Sequence, residues 1–187
     1  MSDEISEELL CWYAITSSQG KLKQAEVILK NGNFTTYIPT VREDYITPTG
    51  VKRQRIRPII SNILFVQSTH SSMRRVKSEY NTLIKFISHR KDGKWVPMII
   101  PDKQMDDFMK IYSHSFDRDI VILSPDESKM LRSNARVKIR GGVFDGVEGY
   151  YQRVKGANKR QFIVKIDGFI ACATVLAECD YVELIKN

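Results

Sequence analysis

Residues 11–38 run CWYAITSSQGKLKQAEVILKNGNFTTYI, and the changes of texture within them set the architecture. Cys11 to Ser17 is an aromatic and β-branched run, the composition of a strand. Gln19-Gly20 breaks it, and from Lys21 to Lys30 the residues Leu22, Ala25, Val27, Ile28 and Leu29 fall at helical spacing. Asn31-Gly32-Asn33 supplies the residue types expected just past a helix end, and Phe34 to Ile38 is a second strand stopped by Pro39. Working outward, Ile59 to Val66 is apolar almost throughout, as in a strand covered on both faces, and Leu83 to Ile87 predicts a fourth strand. Between them Ser71 or Ser72 is placed to cap a short helix carrying Arg74, Arg75 and Lys77. Pro101 to Tyr112 opens on a proline suited to a first helical turn and puts Met105, Phe108, Met109 and Tyr112 on one face. After a tail at 1–8, strands separated by helices predict an α+β sandwich over 9–112.

The remainder has another texture. Residues 113–130 are polar around one apolar run, Ile120 to Leu123, and read as a linker. From Ala135 to Arg140 the chain alternates, with Val137 and Ile139 opposite Arg136, Lys138 and Arg140. Gly141-Gly142, Gly146 and Gly149 punctuate turns, Tyr150 to Val154 and Gln161 to Ile166 are further strands, and Gly156 to Arg160 is a loop. Short strands with glycine turns predict a small β-barrel over 131–187.

Across its 187 residues the chain carries 29 Lys+Arg against 22 Asp+Glu, a net of +7. Arg42 to Lys94 holds twelve basic and four acidic residues, so this segment supplies the whole excess. A clustered positive field suits a polyanion, although a solvated basic face gives the same count. Within it, VKRQRIR from Val51 to Arg57 pairs with the stretch before Pro48 and Gly50 as a basic hairpin whose Lys52, Arg53, Arg55 and Arg57 are candidate phosphate contacts. No apolar run reaches membrane-spanning length and the acidic start does not resemble a secretory signal, so a cytoplasmic protein with no membrane partner is expected. Three cysteines without CxxC spacing and three scattered histidines predict neither a disulfide scaffold nor a metal site.

The Trp12-Tyr13 strand, the turn at Gly20, the helix with Ala25, Tyr37-Ile38-Pro39 and the LFV at Leu64 to Val66 together resemble the NusG N-terminal domain. VKIRGGVFDGVEGYYQRV, from Val137 to Val154, resembles a KOW domain, an SH3-like β-barrel. Two departures stand out. Ser61-Asn62-Ile63 replaces the Pro-Gly-Tyr step usual in housekeeping members, and the tail FIACATVLAECDYVEL, with the stretch from Gly93 to Met109, is similar to specialised paralogs of the UpxY type. Those paralogs act as antiterminators on polysaccharide operons. The resemblance implies a transcription factor, not an enzyme, that binds the clamp helices of RNA polymerase. By position, its polymerase contacts would be Thr16, Ile63, Phe65 and Phe86, with Arg74 and Arg75 facing the opposite wall or the non-template DNA. For the apolar members, Ile63, Phe65 and Phe86, plain core packing is the other reading.

In the KOW part, Phe144 stands where the family presents an exposed aromatic to ribosomal protein S10 or Rho, with a barrel-core phenylalanine as the alternative. Nascent leader RNA is a further implied partner. Ser18 and Gln19 lack the basic charge that DNA-reading members carry before Gly20. The competing functional readings are a ribosome-associated or general RNA-binding KOW protein and a housekeeping NusG. No P-loop, GxGxxG, GxSxG or HExxH is present, so neither cofactor nor catalytic residue is expected. The only dense acid/base cluster, His114-Ser115-Phe116-Asp117, falls in the presumed linker, and Cys172 and Cys179 read as ordinary small residues.

Overall fold

β1 (Cys11–Ser17) forms the middle of an antiparallel sheet, paired to β5 (Ile63–Ser68) from Cys11↔Ser68 to Thr16↔Ile63. Its other edge is shared by β6 (Ile84–Phe86) and β9 (Ile99–Ile100), while β2 (Thr35–Tyr37) adds outside β5. The computed structural model describes residues 8–114, 120–123, 136–153, 160–166, 170–174 and 181–185. These fall into two units, 1–102 and 103–187.

Strand alternation in the first unit sends Cys11, Tyr13 and Ile15 of β1, with Leu64 and Val66 of β5, to one face. There α1 (Leu22–Asn31) contributes Leu22, Ala25 and Leu29, and α2 (His70–Glu79) contributes Met73 and Val76. α1 has no side-chain cap at Lys21, so its stability rests on that buried stripe, where a fully buried leucine contributes roughly 1.5–3 kcal/mol. α2 is capped by Thr69, whose Oγ1 accepts the Ser72 N–H at 3.2 Å. The serines expected to cap it lie inside the helix, because it starts at His70, two residues earlier than a Ser71 cap would allow and three earlier than a Ser72 cap.

The strand expected from Ile59 begins only at Ile63, because Asn62 takes a left-handed φ of 65° and turns the chain. Asparagine tolerates that conformation better than most residues. The Asn62 carbonyl accepts the Ser17 N–H at 2.7 Å, and its Oδ1 accepts the Gly20 N–H at 3.3 Å, tying the strand entry to the turn before α1.

Two separate hairpins complete this unit. β3 (Thr40–Ile46) and β4 (Lys52–Pro58) pair over seven positions, as the basic segment led one to expect. β7 (Ser88–Lys91) and β8 (Lys94–Pro97) pair over four positions, which the sequence reading did not anticipate. Asp92 and Gly93 join the latter with φ of 49° and 78°, the double left-handed turn that matches strand twist.

In the second unit, six strands run in the order β10-β14-β13-β12-β11-β15: β10 (Ile120–Leu123), β11 (Arg136–Arg140), β12 (Glu148–Arg153), β13 (Arg160–Ile166), β14 (Ile170–Thr174) and β15 (Tyr181–Leu184). All neighbouring pairs are antiparallel. β13 buries Phe162, Ile163 and Val164 in succession, so both of its faces are covered. Gly149 permits that closeness, since a Cβ there would stand 2.3 Å from the Ile163 carbonyl oxygen.

Two boundaries differ from expectation. β10 lies inside the stretch read as a linker, because its aliphatic, β-rich run pairs with β14 despite polar flanks. α3 (Asp102–Ser113), placed by the sequence reading in the first domain, falls almost wholly in the second unit. Its polar residues explain this: Lys103 Nζ donates to the Gly146 carbonyl at 3.1 Å, Lys110 Nζ to the Asp145 carbonyl at 2.6 Å, and the buried Asp107 carboxylate accepts the Glu148 N–H at 3.2 Å. The loop at 156–160, apart from Arg160, lies outside the described residues, as do Ser115, Phe116, Asp117 and Cys179.

Candidate functional site

Thr16, Ile63, Phe65 and Phe86, the docking contacts named from sequence, do not share one surface. Ala14 pairs with Phe65 and Thr16 with Ile63, so Thr16, Ile63 and Phe65 lie on the face opposite the α1–α2 core, joined by Tyr37 across β2. Tyr37 and Phe65 rings stand 6.4 Å apart. Thr16 and Ile63 are half-buried, whereas Phe65 is fully buried. Phe86 pairs with Ile15 and points the other way, its ring 5.7 Å from Tyr13. Beside Asn62, a groove of about 770 Å³ opens between the start of α1 and the foot of the long hairpin, lined by Leu22, Ile38, Ile56 and Pro58 among others.

Phe86 instead joins Arg74, from the expected basic pair, in a shallow pocket of about 470 Å³ that includes His70, Lys77 and Pro97. The Lys77 ammonium stands 5.5 Å from the centre of the Phe86 ring, within cation–π range. Arg74 and Arg75 are both exposed on α2, where Met73 and Val76 take the buried positions.

The long hairpin separates its basic residues by face. Val41, Glu43 and Tyr45 of β3 lie opposite Arg57, Arg55 and Arg53, while Lys52 falls on the reverse with Ile46 and Ile56. Glu43 Oε2 accepts from Arg55 at 2.7 Å and from Arg57 at 2.9 Å. The Arg55 hydrogen bond, followed by that of Arg57, holds the Glu43 carboxyl below its usual range. Arg55 also lies 5.1 Å over the Tyr45 ring. Among the described residues Lys52 and Arg53 enter no ion pair. Ile46 and Ile56 are about two-thirds exposed, an apolar pair that the basic composition concealed.

Phe144 is corrected from exposed to buried. Its side chain is fully enclosed, with the His114 ring edge-on at 5.3 Å. The turn that carries it is held by Asp145, whose Oδ1 accepts the Gly141 N–H at 2.8 Å, and by the α3 lysines. His114 itself sits against the Lys110 carbonyl and the Ser113 hydroxyl. Cys172 is buried, which pushes its thiol up to about 12 and leaves no nucleophile at neutral pH. Cys11 is also buried and free, its thiol raised chiefly by desolvation. Among the described residues no group of three or more metal-ligating side chains occurs and no helix is long and apolar enough to cross a membrane.

The sequence reading missed the short hairpin. It holds His89, Arg90, Lys91 and Lys94 with a single acid, Asp92, and exposes 73% of Trp95. The signal was available in Asp92-Gly93, the dipeptide that favours a two-residue hairpin turn.

With this geometry in place, comparison with known proteins gives a match to a family model. The family model NusG, described as transcription termination factor nusG, covers residues 10–109. No curated protein sequence matches the chain significantly.

Proposed function

This chain belongs to the NusG family of transcription elongation and antitermination factors, and we propose that it docks on the clamp helices of RNA polymerase through the sheet face of Thr16 and Ile63. The family's proteins bind RNA polymerase in general and are not enzymes. The observation that carries the docking reading is that the matched residues include the whole of this face, with Thr16 and Ile63 half-buried over a fully buried Phe65. The groove lined by Ile38, Ile56 and Pro58 adds an apolar concavity beside it. Phe65 supports this surface from beneath, and Phe86, on the opposite face, leaves the docking set and joins Arg74 near α2. Arg74 and Arg75 then face the opposite polymerase wall or the non-template strand. In the long hairpin, phosphate contact falls first to Lys52 and Arg53, because Arg55 and Arg57 are held by Glu43.

The finer reading is a specialised antiterminator of the UpxY type serving a polysaccharide operon, with the second unit a KOW barrel for ribosomal protein S10, Rho or leader RNA. Its support is the sequence resemblance of Val137 to Val154 and of the tail. In this reading Phe144 meets a partner only once its turn opens.

A pull-down tests the docking. Ile63→Asp is expected to abolish retention of polymerase subunits while the protein stays folded, whereas Phe65→Asp places a charge at a fully buried site and unfolds the unit. Capture of ribosomal protein alone would sink the reading. Transcription in vitro past a terminator, with and without a candidate operon leader, tests specialisation: readthrough that depends on the leader supports it, and equal effects on all templates oppose it.

A further inference from the structure

We propose that the short hairpin β7–β8 is a binding site for single-stranded nucleic acid, with a base stacked on Trp95 and phosphates held by the cations around it. Trp95 is 73% exposed, while Trp12, the other tryptophan, is 4% exposed. A large flat ring left in water at the tip of a two-stranded hairpin contributes nothing to a core. Register places Arg90 directly opposite Trp95, on the same face of the ladder, and Lys91 opposite Lys94 on the reverse face. Among the described residues neither Arg90 nor Lys94 enters an ion pair.

The same face continues into the pocket beside α2. By alternation Pro97 lies on the Trp95 side of β8, and Pro97 lines the pocket that holds Phe86, Arg74 and Lys77. Trp95, Pro97 and Phe86 thus form an apolar strip bordered by Arg90, Lys77 and Arg74, with no acidic side chain lining the pocket. Aromatic platforms interleaved with cations are how proteins hold unpaired bases with little sequence preference. The arrangement favours a single strand over a duplex, because bases already stacked within a helix have no free face to lay on Trp95.

The test uses the full chain without polymerase, so its outcome stands apart from the docking reading. Trp95 is the exposed one of the two tryptophans, so binding registers as quenching of the red-shifted tryptophan emission when a short oligothymidylate or oligouridylate is added at low salt. The two oligonucleotides distinguish DNA from RNA as the source of the strand. Trp95→Ala is expected to weaken binding of a labelled oligonucleotide about ten- to a hundredfold, and Trp95→Phe, which keeps a stacking ring, only a few-fold. Arg90→Ala should lower the slope of log affinity against log salt by about 0.7. The proposal is overturned if no quenching occurs, if Trp95→Ala binds like the parent, if a duplex of the same length competes equally, or if Trp95 instead drives self-association in sedimentation.

Discussion

Two hairpins of one unit carry similar basic character and make opposite use of it. The longer, β3–β4, contains Arg42, Lys52, Arg53, Arg55 and Arg57, yet register sets Glu43 across from Arg55 and diagonal to Arg57, and both guanidiniums are held there. The shorter, β7–β8, contains Arg90, Lys91 and Lys94, with its sole acid placed in the turn rather than in the ladder. Net charge along the sequence is therefore a poor measure of charge available to a partner. Cross-strand pairing decides how much of it faces outward.

Glu43→Gln breaks this contrast most directly. The amide keeps the shape but removes the charge that binds two arginines, leaving both free for phosphate. Salt titration of single-strand binding should then steepen by about 1.4 logarithmic units, two phosphates at about 0.7 each. An unchanged slope would mean that Arg55 and Arg57 were already available and that the hairpins do not differ in this respect.

Much of the first unit was legible in residues 11–38 because its signals are local. The helical spacing of Leu22, Ala25 and Leu29 and the breaks at Gly20 and Gly32 each act within a few residues. The β3–β4 hairpin was legible for the same reason. What escaped was set by register or by long-range contact. The opposite facing of Phe86 and Phe65 follows from which β1 residues they pair with, and a strand's two faces cannot be told apart within an apolar run. Phe144 was misjudged because its burial depends on distant side chains, including His114 and the lysines of α3. Ile120–Leu123 was hidden by its polar flanks, since its partner β14 lies some 50 residues away. The short hairpin was a different failure, as Asp92-Gly93 announced it locally.

A smaller effect separates the hairpins by length. Gly50 and Gly93 turn their hairpins at φ of 80° and 78°, and a Cβ at either would meet no atom within 4 Å. Alanine at each position therefore introduces the same backbone strain, about 1–2 kcal/mol, without a clash. Seven paired positions absorb it in β3–β4, whereas four do not in β7–β8, since short two-stranded ribbons are marginal by themselves. Amide exchange should show Gly93→Ala deprotecting the residues around Trp95 and Gly50→Ala leaving the β3–β4 ladder largely intact. Equal loss in both would show that neighbouring contacts, not ladder length, support the short hairpin.

The smallest effect is a titration. Glu43 has its carboxyl lowered from an ordinary 4.5, first by Arg55 and then by Arg57. A carboxyl lowered on folding favours the folded state above its unfolded value, and that contribution disappears as pH falls through the folded value. On acidification below the usual carboxylate range, the two arginines are thus released and β3–β4 comes to resemble its shorter neighbour. Carboxyl chemical shifts followed against pH should place the Glu43 midpoint below that of a free glutamate. Arg55→Ala should raise the midpoint more than Arg57→Ala, because Arg55 makes the stronger hydrogen bond. The reverse order would assign the main hold on Glu43 to Arg57 and shift the available charge of the hairpin to Arg55, beside Tyr45.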